Sequence, residues 1–307
     1  MLRYTLLRLA GAIPTLLLVI ALAFLMVHAA PGGPFSNERA ASPEVLENLE
    51  KHYRLDEPLP QQFVHYLGNV IRGDFGPSYR YVDYTVSELI AIGFPLSLQL
   101  GALAMMLALL VGVSAGTAAA LRQDSLLDRA LMSFAMTGIS IPVFVVAPVL
   151  VLLLSVKLQW LPAGWSGSNG AAKFILPVVT LALPQIAYVA RLTRASVIDV
   201  LSRDFVRTAR AQGLATKTLV RVHVLRPAML PVLSYLGPAI AAILTGSVVV
   251  EEVFGIPGLG QFFVRGALNR DYTLVLGIVI LYASLVIAMN LLVDILYGVL
   301  DPRVRQR

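Results

Sequence analysis

The residue types that most often carry chemistry occur in this chain without the spacing chemistry needs. Its four histidines, His28, His52, His65 and His223, lie far apart and show no metal-ligand spacing. There is no cysteine, which excludes disulfides, thiol catalysis and cysteine metal sites. Gly112-Val113-Ser114-Ala115-Gly116 matches the Gly-x-Ser-x-Gly pattern of hydrolases. That motif requires a strand-turn-helix elbow and a histidine partner, whereas this copy sits in the middle of an apolar run. Two glycines four residues apart in such a run read instead as a helix-packing surface. A phosphate-binding loop places glycine directly before its lysine. The four lysines here follow Glu50, Val156, Ala172 and Thr216, so no such loop exists. The chain is therefore expected to carry no catalytic pair, no metal and no cofactor of its own.

The remaining concentration of charge is the stretch from Arg191 to Arg226. It holds eight basic and two acidic residues, an excess equal to the net charge of +6 of the whole chain. Apolar runs long enough to cross a bilayer flank it on both sides, and basic loops between spans stay on the cytoplasmic side. Any multi-span protein has such loops, so charge alone does not mark a binding element. The ordered small residues add something: Ala209 and Ala211 favour helix, and Gly213 can end one without a Cβ penalty. A short, slim helix suited to close contact is the expectation.

The elements that would hold this stretch follow from composition. Of 307 residues 57% are hydrophobic and only 14% charged, with a mean hydropathy of +0.77. Soluble domains are nearer 45–50% apolar and about 25% charged, so this is an integral membrane protein. The sequence pI of about 9.7 reflects loop charge, and nucleic-acid binding is not expected. Leu9–Ala30 is an uncharged run of 22 residues. It is long enough for about 30 Å of hydrocarbon and longer than a signal-peptide core, so it reads as a retained span.

The segment 31–95 changes character, with nine acidic and five basic residues. Pro60 fits the first turn of a helix, with Phe63, Tyr66, Leu67, Val70 and Ile71 on one face. Thr85 and Glu88 have capping-box spacing. Further spans read at 96–121, 130–156, 174–190, 228–250 and 272–293. Three of them carry two prolines each: Pro142 and Pro148, Pro177 and Pro184, Pro231 and Pro238. Bent helices around a path and ordinary kinked packing both account for this. Trp160 and Trp165 suit a membrane interface, and the glycines around Pro257 suit a tight turn between the last two spans. Polar residues on the fifth span, Ser234, Tyr235, Thr245 and Ser247, are candidates to line a path; helix–helix hydrogen bonding is the plainer alternative. With the N-terminus inside, the inner loops hold 15 Lys and Arg against 4 in the short outer loops, which places both termini in the cytoplasm.

Several of these stretches resemble one family. Asp204-Phe205-Val206-Arg207-Thr208-Ala209-Arg210-Ala211-Gln212-Gly213-Leu214 looks like the coupling loop of ABC importer permeases in its peptide-permease form. Departures from the general family pattern are a non-acidic residue at its glutamate position, His223 in place of Ile, and Leu225-Arg226-Pro227 in place of Leu-Pro. They resemble the peptide and nickel branch. The opening residues 1–35, Gly73–Tyr79, the Glu251-x-x-Phe-Gly255-x-Pro257-Gly258-x-Gly260 segment and the closing Asp301-Pro302-Arg303-Val304-Arg305 resemble the same family, so the similarity covers nearly the whole chain.

The resemblance implies an all-α polytopic membrane protein with six transmembrane helices in a type I ABC importer permease fold. It implies an N-terminal part, 1–95, of one transmembrane helix and an extracytoplasmic loop region. A five-helix core, 96–307, would carry the coupling loop at 191–226. It further implies a multi-pass protein of the bacterial inner membrane, with a similar second permease as heterodimer partner. Two ATPase subunits would hold ATP and Mg, and an extracytoplasmic binding protein would deliver peptides, the resemblance being most to the oligopeptide branch, with dipeptides, nickel or another solute as alternatives. Asp204, Phe205, Arg207, Thr208, Ala209, Arg210, Ala211, Gly213, Leu214 and His223 would then meet an ATPase. A stand-alone secondary transporter is the rival. Ion coupling needs ionisable groups near the midplane; the six spans offer almost none, and Asp294 is the only acid near a span, about 12 Å below the middle of the sixth helix at 1.5 Å per residue.

Overall fold

The computed structural model describes residues 2–29, 56–81 and 83–300. Residues 31–55 of the expected extracytoplasmic segment and the closing Asp301–Arg305 lie outside the described residues. Ten α-helices of eight or more residues carry the description: α1 Leu2–Ala29, α2 Leu59–Ile71, α3 Val86–Leu121, α4 Leu126–Ser140, α5 Val143–Leu150, α6 Ile175–Leu201, α7 Asp204–Ala211, α8 Leu230–Phe254, α9 Leu259–Leu268 and α10 Tyr272–Leu300. Five are long and apolar enough to cross a membrane, and α4 with α5 makes a sixth if the bent pair counts as one span.

That pair corrects the expected third span. Residues 130–156 do not form one helix: α4 and α5 meet at 106° across Ile141 and Pro142. Pro142 has no amide hydrogen to donate, and it drives Ile141 out of helical geometry, to φ −93° and ψ 120°. Beyond Pro148, α5 continues in a wider π-helical form over Val151–Lys157. The other spans are longer than their apolar runs. The second begins at Val86 with Pro95 inside it. The fourth runs on to Leu201, so residues 191–201 of the basic stretch are helix, not loop. The segment from Glu251 is largely helical too, as the end of α8 and then α9.

The chain divides into two compact units, one built on Ser97–Ile256 with α10 from Ala288, the other on Leu6–Leu96 with Pro257–Ile287. In the first, α6 is central and packs against α4, α5 and α8. Its buried face includes Leu176, Leu181, Ala187, Val189 and Val197. Gly112 and Gly116 let α3 approach it closely: a Cβ at Gly112 would lie 2.8 Å from the Val189 side chain and 3.0 Å from the Ile186 carbonyl oxygen. The Gly-x-Ser-x-Gly stretch is thus a helix crossing. Gly237 of α8 likewise receives the Asn290 side chain of α10.

The second unit is organised by local caps and one buried acid. Pro60 sits in the first turn of α2, and Phe24 packs edge-on to Phe63 at 5.3 Å. Ile71 does not share that face; it is 78% exposed. Thr85 and Glu88 form the capping box, with Thr85 N–H donating to Glu88 Oε2 at 2.8 Å and Glu88 N–H to Thr85 Oγ1 at 3.3 Å. Asp271, fully buried, caps α10 by accepting from Leu274 N–H at 3.2 Å. It also accepts from Ser78 Oγ and from Arg80 N–H, and so ties the Gly73–Tyr79 segment to the start of that helix.

Candidate coupling segment and transport path

The basic stretch resolves into an anchored helix with one exposed side. α7 starts after a sharp turn at Ser202 and Arg203, and Asp204 in its first turn complements the helix dipole. Val206 and Ala209 turn inward and join Ala120, Val197, Val200, Leu219, Val224 and Ala228 in one buried cluster. Leu214 packs against that cluster as well. Outward lie Asp204, Phe205, Arg207, Thr208, Arg210 and Ala211. Phe205, 48% exposed, is a large apolar side chain on a charged surface. Of the two alanines, then, Ala211 leaves the outer surface low, while Ala209 fastens the helix to its own chain. Among nearby charges, Asp199 hydrogen-bonds Arg203 at 2.8 Å and raises its guanidinium above the ordinary value.

The helix ends as Gly213 allows. Leu214 N–H reaches the Ala209 carbonyl at 3.4 Å and Gly213 N–H the Arg210 carbonyl at 2.9 Å, while Gly213 takes φ +81°. This is the left-handed termination that closes helices with glycine. His223 lies half-buried in a π-helical turn, Leu219–Val224, that returns the chain toward α8.

A partner of this segment carried no signal in the sequence. Arg194 grips Asp128 with two hydrogen bonds, Nε to Oδ1 and Nη2 to Oδ2, both 2.6 Å. Asp128 also accepts from Asp124 N–H at 3.0 Å, and Ser125 caps α4. Asp128 is 3% exposed and Arg194 27%. The fork therefore pins the start of α4 to the last part of α6, about two turns before that helix ends ahead of α7. Asp128→Asn keeps the shape but removes the charge. It is expected to lower stability by about 1–3 kcal/mol, the scale of charged hydrogen bonds, read as the thermal midpoint in detergent. Arg194→Lys should fall between, since an ammonium cannot form the fork. Unchanged midpoints in both would show that the pair contributes nothing.

In the outer segment, Glu251 is fully buried near the end of α8, and the helix terminates at Gly255 with φ +66° and Ile256 N–H bonded to the Glu251 carbonyl at 2.8 Å. Of the three glycines around Pro257, Gly255 alone takes a positive φ. Gly258 has φ −100° ahead of α9, and Gly260 is buried inside it, so a side chain at Gly258 meets no backbone penalty. Pro257 lies between the two helices.

The four path candidates separate. Ser234, Thr245 and Ser247 each donate to a carbonyl of their own helix, those of Leu230, Ala241 and Leu244, at 3.1, 3.1 and 2.9 Å. Ser247 is 1% exposed. Tyr235 alone reaches across, donating to Gln185 Oε1 on α6 at 2.9 Å. Its ring lies 5.6 Å from that of Tyr188, and the Arg191 guanidinium stands 5.3 Å over the Tyr188 ring. In the other unit a cavity of about 400 Å³ is lined in part by His28, Glu57, His65 and Tyr66. His65 is paired with Glu57 at 2.9 Å there, and burial pushes the Tyr66 phenol up. Among the described residues no three His, Asp or Glu side chains converge as metal ligands.

An all-helical multi-pass chain with a short exposed helix between two spans has the architecture of an importer's membrane component. The same fold occurs in the crystal structure of an amino acid ABC transporter with histidines, at a TM-score of 0.50 and 22% identity over 71% of this chain and 94% of that one. Two family models decide the matter: residues 108–306 match the binding-protein-dependent transport system inner membrane component, and residues 1–99 its N-terminal part. The chain belongs to this family; it is a transport permease of the inner membrane, not an enzyme. It is 53% identical to the oligopeptide transport system permease protein OppB of Salmonella typhimurium, over 99% of this chain and all of that one. With the Haemophilus influenzae protein of the same name it is 51% identical over the same shares. With the dipeptide transport system permease protein DppB of Bacillus subtilis it is 41% identical over 99% and 98%.

Proposed function

We propose that this chain forms half of the translocation path of an ATP-driven importer for oligopeptides. The observation that carries the substrate is the 53% identity to an oligopeptide permease along the whole chain, against 41% to a dipeptide permease. The chain has no nucleotide-binding loop, so ATP and Mg are held by partner ATPase subunits. The outward side of α7 is the surface offered to them. A second, similar permease completes the path, and an extracytoplasmic binding protein delivers the peptide. In cells lacking the native copy, the chain expressed with its partners should restore uptake of radiolabelled tri- to pentapeptides. It should also co-purify with two ATPase subunits. Uptake of dipeptides alone, or of nickel alone, would overturn the substrate. Transport by the purified chain without any ATPase would overturn the mechanism.

This function requires the side carrying residues 31–95 to face outward and α7 to face the cytoplasm, as the positive-inside count argues. Asp83, exposed in the segment before α3, gives a reporter in a chain without cysteine. Asp83→Cys should react with an impermeant thiol reagent in intact cells after outer-membrane permeabilisation, whereas Arg210→Cys should react only after lysis. The reverse pattern would invert the topology.

A further inference from the structure

Among the path candidates only Tyr235 belongs to a cross-helix polar group, and that group is larger than the sequence suggested. Gln185, Tyr188 and Arg191 lie three residues apart along α6, each turned by about 60° from the last at 3.6 residues per turn, so they wind along it from buried Gln185 to exposed Arg191. Gln185 is committed only through its oxygen, to Tyr235. Among the described residues no acceptor takes its amide N–H groups. None takes the Tyr188 hydroxyl, and among the described residues no acid pairs with the exposed Arg191, which stands over the Tyr188 ring. Three sets of donors therefore stand in a row, over six residues or about 9 Å of helix at 1.5 Å per residue. They interrupt the apolar run 174–190 and its cytoplasmic edge. Polar and ionisable groups at such depth face a bundle interior or a water-filled way rather than lipid.

We propose that Gln185, Tyr188 and Arg191, backed by Tyr235, form a peptide-binding station at the inner end of the transport path. Arg191 takes the C-terminal carboxylate there. The chemistry fits an extended peptide. A row of donors wants a row of acceptors, and a peptide offers its carbonyl oxygens and one carboxylate. At about 3.3 Å per residue, 9 Å matches some three residues. A guanidinium fork matches a carboxylate, and its neighbour on the Tyr188 face keeps it oriented without neutralising it. Tyr235 holds the Gln185 oxygen so that the amide donors, rather than the carbonyl, are presented. The station rests on the oligopeptide reading above.

The test uses the assembled importer in cells and two probes, radiolabelled trialanine and its C-terminal amide, at matched membrane levels of the chain. Arg191→Gln should lower trialanine uptake at least about tenfold, the weight of a charged hydrogen bond. Arg191→Lys should return it to within about threefold of wild type, because it restores the charge but not the fork. Any uptake of the amide should be insensitive to Arg191→Gln. Tyr188→Phe, which keeps the ring and loses the donor, should cost trialanine uptake about two- to fivefold. Trialanine uptake unchanged in Arg191→Gln would overturn the station. So would an equal loss of both probes, or a fall in membrane level without rescue by lysine; these would assign Arg191 to the lipid headgroups or to packing. Wild-type cells that import neither probe would instead remove the oligopeptide reading, and the station with it.

Discussion

Gly116→Ala should unfold or disassemble the helix crossing on which α6 depends, although it adds one methyl group. A Cβ at this position would overlap the Ala190 carbonyl oxygen and lie 2.7 Å from Thr193 Cβ and 3.0 Å from the Arg194 amide nitrogen. Two of the three obstacles are backbone, and no rotamer change moves them. α3 and α6 would have to separate, which opens a tight contact of a close-packed interior. Overpacking commonly costs about 1–3 kcal/mol, and a clash with two backbone atoms of α6 belongs at or above the top of that range. Position decides the effect, so the series is its own control. Gly112→Ala should be nearly as severe, since Val189 and the Ile186 carbonyl stand at 2.8 and 3.0 Å. Gly138→Ala meets its nearest atoms at 3.4 and 3.6 Å and should be tolerated. Gly11→Ala meets nothing within 4 Å and should be neutral or slightly stabilising through helix propensity. Thermal midpoints and monodispersity in detergent read this order directly. A Gly116→Ala chain as stable as Gly11→Ala would show that the crossing is looser than described.

Those two glycines were legible because the period of a helix and the smallness of glycine are both local properties. The capping box at Thr85 and Glu88 was legible for the same reason, as was the helix end at Gly213. The ends of the spans were not. Val86–Pro95, read apart from the second span, and Arg191–Leu201, read as loop, continue the helices of the spans beside them, because composition reports where a chain leaves hydrocarbon rather than where its helix stops. The break at Pro142 was visible as a proline, yet Pro95, Pro184 and Pro238 sit inside continuous helices. Only packing separates a kink from a 106° turn. Asp271 and Ser78, 193 residues apart, and Asp128 and Arg194, 66 apart, leave no trace in spacing. Polarity in an apolar run picked out Ser234, Thr245 and Ser247 on the fifth span, but hydroxyls can return to their own helix, and these do. Gln185, the partner that gives Tyr235 its meaning, lies on another span.

Gly213→Val should separate assembly in the membrane from function. The residue holds φ +81° at the end of α7, and a Cβ there would touch nothing within 4 Å. Space is not the constraint; the left-handed backbone is. A β-branched side chain at such a φ costs about 1–3 kcal/mol. The penalty falls on the turn and not on the spans, which pack elsewhere. The chain should therefore insert in normal amounts. What should change is the end of α7: loss of the bonds from Gly213 and Leu214 would let its last turn fray and shift Phe205, Arg207 and Arg210. On the function proposed above, an ATPase partner acts on the spans through a rigid contact, since no lysine of this chain stands in a phosphate-binding loop. A two-state coupling element must keep its shape. Uptake should fall at least about tenfold, the equivalent of some 1.4 kcal/mol, with ATPase subunits released or hydrolysing ATP without transport. Gly213→Asn is the deciding companion, because asparagine tolerates this backbone region. It should retain most uptake, whereas a surface defect at this position would harm both variants alike. Ala209→Asp attacks the same element from within, by placing a charge in the cluster of Val197, Val206 and Leu219. If Gly213→Val and Ala209→Asp both keep full uptake and full ATPase association, α7 is an ordinary cytoplasmic helix and the coupling contact lies elsewhere on the chain.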